Sequence, residues 1–107
     1  MTTFSLQDLE AIITERASVN DGSSWTAKLV AGGMQRVGKK FGEEATETLI
    51  AALSEDDPAL VGESADLLYH WLVLLHMRNI PLQAVLDELQ SRTEQSGLAE
   101  KAARPST

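Results

Sequence analysis

Apolar residues in this chain recur at intervals of three and four, and no segment shows the strict alternation of a strand, so the pattern predicts helices throughout. Leu6, Leu9 and Ile13 share one face of a first helix over residues 5–17. Ser5-Leu6-Gln7-Asp8 opens it, with a hydroxyl able to cap a free backbone N–H. Asn20-Asp21-Gly22-Ser23-Ser24 reads as a turn whose last serine caps a short helix, Trp25 to Ala31, ended by Gly32-Gly33. Met34, Val37, Phe41, Ala45, Thr48 and Ala52 then mark one face of a long helix over 34–53. Ile50 and Leu53 fall off that stripe and call for a second apolar contact. Gly38, inside this span, costs a helix about 0.5 to 1 kcal/mol relative to alanine and suggests a bend, or a start nearer Lys39. For that reason Arg36 is left outside the candidate site. Glu55-Asp56-Asp57-Pro58 breaks the helix, with Asp57 as N-cap and Pro58 at the first position of the next one.

Between Leu67 and Met77 apolar residues point in almost every direction around the axis, and such a helix must be surrounded by protein. A single small domain can hardly do this alone, so the pattern predicts a homodimer with the second long helix at the centre of a bundle. Asn79-Ile80-Pro81 ends this helix, and Leu82, Val85, Leu86 and Leu89 form the stripe of a last one that covers one end of the core. The expected architecture is all-α, an antiparallel bundle of about five helices completed by dimerisation. One domain spans residues 1–92, and the polar residues 93–107 form a flexible tail.

Composition narrows the chemistry. The 107 residues carry a formal charge of -7, which argues against nucleic acid and anionic membranes as partners, since both recruit basic surfaces. An anionic substrate would then need a cation as intermediary. With no cysteine, disulfides, thiolate metal sites and cysteine nucleophiles are excluded. The start of the chain lacks the basic and apolar regions of a signal peptide, and the longest apolar run is about half of the ~20 residues that span a membrane; both point to a cytoplasmic protein.

The informative feature is acidic. Glu43-Glu44-Ala45-Thr46-Glu47 lies in the first long helix and Glu63-Ser64-Ala65-Asp66 in the second. Residues three or four apart share a helix face, so Glu44 points with Glu47, Glu43 nearly so, and Glu63 with Asp66. A turn at Asp56-Asp57 returns the chain antiparallel and brings the two groups to levels about one helical turn apart. Carboxylates gathered this way repel unless something positive sits among them, and oxygen-only ligands favour Mg²⁺, with Mn²⁺ as a substitute. Either acidic pair alone is ordinary for an exposed helix. The two together, beside strongly apolar segments, are harder to dismiss.

The motif Glu-Glu-x-x-Glu followed by Glu-x-x-Asp resembles that of the all-α, MazG-like nucleotide pyrophosphohydrolases. Ser24-Trp25-Thr26-Ala27-Lys28-Leu29, Lys39-Lys40-Phe41-Gly42-Glu43-Glu44-Ala45-Thr46-Glu47 and Glu63-Ser64-Ala65-Asp66-Leu67-Leu68-Tyr69-His70 resemble, within that superfamily, the phosphoribosyl-ATP pyrophosphohydrolases over about residues 5–92. The resemblance implies Mg²⁺-dependent hydrolysis of phosphoribosyl-ATP to phosphoribosyl-AMP and pyrophosphate in histidine synthesis. It places metal-ligand roles on Glu44, Glu47, Glu63 and Asp66, with Glu43 as a further ligand or water-orienting group. The absence of cysteine suggests the free-standing version, not one fused to a zinc cyclohydrolase.

Lys28, Lys39 and Lys40 flank the acidic face and are candidates to hold the substrate's phosphates. His70 and Tyr69 follow Asp66 by one turn and could reach a nucleotide, but His70 reads better as a core or interface histidine. Trp25 and Trp71 are expected to serve packing. Two alternatives stand beside this reading: a house-cleaning enzyme for free or damaged deoxynucleoside triphosphates, and a non-enzymatic helical oligomerisation module.

Overall fold

Side-chain caps start three of the five helices in the computed structural model, which describes residues 3–94. Ser5 accepts from the Asp8 N–H while the Asp8 carboxylate accepts from the Ser5 N–H, a reciprocal box at the start of α1 (Leu6–Ala17). Ser24 caps α2 (Trp25–Ala31) by accepting from the Ala27 N–H. Asp56 caps α4 (Asp57–Met77) in the same way through Ala59. The cap thus falls one residue before the expected Asp57, because the helix takes in Asp57 ahead of Pro58.

The other two helices start differently. Gly33, at φ +89°, turns the chain directly from α2 into α3 (Met34–Ser54), a conformation most residues avoid. The first N–H of α5 (Leu82–Thr93) is taken by the Glu10 carboxylate of α1 at 2.7 Å, tying the two ends of the fold together. Gly38 does not begin α3, which runs through it uninterrupted.

Ile13, Leu29, Val37, Leu72, Val73 and Leu82 form the buried core, one or two residues from each helix, with Leu6, Leu9, Trp71 and Leu86 packed around it. The second half of α4 supplies two of these, Leu72 and Val73. The α3–α4 hairpin packs most extensively and continues past the core toward its turn, where Ala51 is buried but Leu49, Ile50, Leu53 and Val61 are exposed. Two expected stripes are shifted accordingly. On α3 the inner face holds Val37 and Ala51, while Met34 and Ala52 are exposed. On α5, Leu82 is fully buried, whereas Leu89 is 53% exposed because nothing in the described chain reaches the end of that helix. Among the described residues, no helix is long and apolar enough to cross a membrane. The expected tail from residue 93 lies, beyond Glu94, outside the described residues.

Candidate active site

The seam between α3 and α4 is apolar at both ends and acidic in the middle. On α3 it runs Val37, Phe41, Glu44, Thr48, Ala51, in steps of four and three, the spacing of a continuous contact line. On α4 it returns through Ala59, Glu63, Asp66, His70 and Val73 with the same steps. Glu44 and Glu63 therefore occupy places where packing would prefer leucine or alanine. The helix spacing that builds the hairpin also aims these carboxylates at each other.

One carboxylate oxygen from each of Glu44, Glu63 and Asp66 lies within 4.8 Å of the others. Glu44 and Glu63 are half-buried, and Asp66 is exposed. The Oε2 atoms of both glutamates are buried with no hydrogen-bond partner, an expensive state for a carboxylate oxygen. The electrostatics follow. Glu63 is pushed up to about 7, first by a hydrogen-bonding contact with the Glu47 carboxylate, then by burial and by Glu44. Burial raises Glu44, and the charges of Glu47 and Asp66 add to it. Such a site holds protons at mild acidity and, as they leave, favours a cation among its carboxylates. Its all-oxygen donor set, with two buried oxygens that no protein group satisfies, fits a hard divalent metal ion.

The remaining candidates are spread around this group. Glu47 is exposed and beside Glu63. Glu43 points away from the seam toward Lys40, whose Nζ is 3.9 Å from its carboxylate, both side chains being about half exposed. Lys28 on α2 and Lys39 on α3 are exposed. His70 is buried, and its Nδ1 donates to the Asp66 carbonyl oxygen at 2.7 Å, in keeping with a core histidine. Trp71 is half-buried against the core, as expected of a packing residue.

Trp25 is the exception. It is 51% exposed, with the Arg36 guanidinium 5.8 Å from its ring centroid. It faces outward because the buried side of α2 is supplied by Thr26 and Leu29. The sequence reading left Arg36 outside the candidate site and gave Thr26 no role of its own. A signal for the first was Gly32, four residues earlier, since a Cβ there would collide with the Arg36 side chain. Thr26 hydrogen-bonds to the Tyr69 hydroxyl at 2.6 Å, a contact across 43 residues that no local pattern announces. A cavity of about 270 Å³ lined by Glu10, His76, Asn79 and Pro81 among others contains none of the clustered carboxylates. His76 lies about 15 Å along α4 from Asp66.

Residues 6–93 match the sequence model of the family "Phosphoribosyl-ATP pyrophosphohydrolase". The chain is 57% identical over 105 residues to a phosphoribosyl-ATP pyrophosphatase of Agrobacterium fabrum, covering 98% of each chain. It is 58% identical over 104 residues to one of Sinorhizobium medicae, covering 97% of each. With a protein of the same name from Allorhizobium ampelinum the identity is 55%, over 97% of this chain and 100% of the relative. An all-helical fold, an acidic cluster built into a helical hairpin, and a match over nearly the whole described chain place this protein in the phosphoribosyl-ATP pyrophosphohydrolase family.

Proposed function

We propose that this chain hydrolyses phosphoribosyl-ATP to phosphoribosyl-AMP and pyrophosphate, in histidine biosynthesis, as a cytoplasmic Mg²⁺-dependent homodimer. The observation that carries the reading is the convergence of Glu44, Glu63 and Asp66 within 4.8 Å, with two buried carboxylate oxygens lacking any protein partner. The near-full-length identity to relatives named phosphoribosyl-ATP pyrophosphatase supports the substrate.

Glu44, Glu63 and Asp66 would hold the ion, with Glu47 as the fourth ligand from the exposed edge. Bound there, Mg²⁺ would neutralise the carboxylates and would supply positive charge where the anhydride's negative charge builds up. The reaction forms one bond from a water oxygen to phosphorus and breaks one P–O anhydride bond, releasing pyrophosphate and a proton. Glu43 is assigned the orientation of that water, its own charge offset by Lys40. Lys28 and Lys39, exposed and cationic, hold the phosphates that remain. The low-dielectric floor of the site is the α3–α4 seam, which keeps these charges effective.

Dimerisation is part of this reading. Leu53 at 77% and Val61 at 68% exposed lie on the turn side of the carboxylates. A second copy covering them would pack beside the acidic part of the hairpin.

Pyrophosphate release from phosphoribosyl-ATP, measured beside a panel of deoxynucleoside triphosphates with Mg²⁺ present, tests the proposal. A preference for the nucleoside triphosphates would favour the house-cleaning alternative. Full activity after Glu44→Gln and Asp66→Asn, with a melting temperature indifferent to millimolar Mg²⁺, would leave only a helical oligomerisation module.

A further inference from the structure

With seven residues, α2 is too short to be stable alone, so its position depends on what grips it. Three attachments do so. At its start, Ser24 donates to the Arg16 carbonyl oxygen at 2.7 Å while accepting from Ala27 at 3.0 Å. In its middle, Leu29 is fully buried in the core. The third is the hydrogen bond between the hydroxyls of Thr26 and Tyr69, at 2.6 Å, with Thr26 only 3% exposed.

Packing alone does not call for this pair, since valine and phenylalanine would fill the same two volumes. What the hydroxyls add is register. Apolar surfaces tolerate sliding by a fraction of an ångström, whereas a short buried hydrogen bond does not, and a satisfied buried pair selects one arrangement. Tyr69 stands one helical turn beyond Asp66, so α2 is pinned about 4.5 Å along α4 from the acidic cluster. The Tyr69 ring is itself steadied by the edge-on ring of His70, at 5.1 Å and 90°. The exposed side of α2 carries Trp25 and Lys28, three residues apart, with Arg36 lying over Trp25 in space that Gly32 leaves free.

We infer that the Thr26–Tyr69 pair is a positioning device that fixes α2 on α4 so that Lys28 meets the substrate's phosphates, and so governs substrate affinity more than the chemical step. The inference rests on the assignment of Lys28 as a substrate ligand. Its test is steady-state hydrolysis of phosphoribosyl-ATP at saturating Mg²⁺ by Thr26→Val, Tyr69→Phe, the double variant, Thr26→Ser, Lys28→Ala, and Thr26→Val combined with Lys28→Ala.

Thr26→Val and Tyr69→Phe should each raise KM by up to about tenfold, the weight of one hydrogen bond, with kcat within about twofold. The double variant should be no worse than either single one, and Thr26→Ser should return KM to the starting value. In the Lys28→Ala background the Thr26→Val change should add nothing. An unchanged KM in the hydroxyl variants, or an equal rise with and without Lys28, overturns the inference while leaving the hydrolytic function intact. Lys28→Ala without effect on KM removes its premise and overturns it too. Thermal melting of each variant separates these results from unfolding, and Tyr69→Phe, which loses a single oxygen, is the arm least exposed to that failure.

Discussion

Glu63 shows how far a single residue's surroundings decide its behaviour. Its value of about 7 in the fold lies above the ordinary 4.5, so between those pH values the folded chain holds a proton that the unfolded chain has released. Without a divalent ion, the contribution of this group to stability is present below pH 4.5 and is lost as pH rises through about 7. Melting followed in a chelator should therefore show this decline, and Glu63→Gln, which cannot ionise, should flatten it. A wild-type curve already flat over that range would contradict the assignment. Mg²⁺ should restore the most stability above neutrality, where no proton competes for the oxygens. The same Glu63→Gln substitution should lower hydrolysis by at least about 100-fold in a chain that still folds, as measured by pyrophosphate release.

Single elements carry two further consequences. Ser24 serves α1 and α2 at once, so Ser24→Ala removes a cap and a link between helices. It should cost about 1 to 2 kcal/mol, lowering the melting temperature by roughly 5 to 15 °C in a domain of this size. On α3 the sign is opposite. A Cβ at Gly38 meets nothing within 4 Å, and the position is exposed in mid-helix. Gly38→Ala should stabilise the fold by about 0.5 to 1 kcal/mol, read as a rise in melting temperature. A fall instead would mean that another body approaches the backbone there. The helices themselves were legible in the sequence because caps, glycines and apolar spacing are local signals. The inner face of α3 was not, since Ala51 and Ala52 are equally apolar and only the partner helix chooses between such neighbours.

At the scale of the molecule, the hairpin extends beyond its own core and leaves Leu49, Ile50, Leu53 and Val61 exposed around one buried alanine, Ala51. Isolated exposed apolar residues are commonplace, but four on one half of a hairpin form a patch that a second copy can bury. The wild-type chain should sediment as a dimer at micromolar concentration and melt higher as concentration rises. Leu53→Asp combined with Val61→Asp should give monomers with a lower, concentration-independent melting temperature. A stable folded monomer of the unaltered chain would refute this.

By itself, the amino-acid order determined the five helices, their breaks at Gly32-Gly33 and, to within one residue, at Glu55-Asp56, and the two acidic groups, because each of these follows from interactions within a few residues. Only the tertiary structure decided which carboxylates meet. Glu44 faces Glu63 and Asp66 because it lies on the contact seam, whereas Glu43, one residue and about 100° of helix away, turns toward Lys40. The same holds for Thr26 with Tyr69 and for Glu10 with the start of α5, partners 43 and 72 residues apart. Helical spacing says which side chains share a face; the packing of one helix on another settles what that face touches.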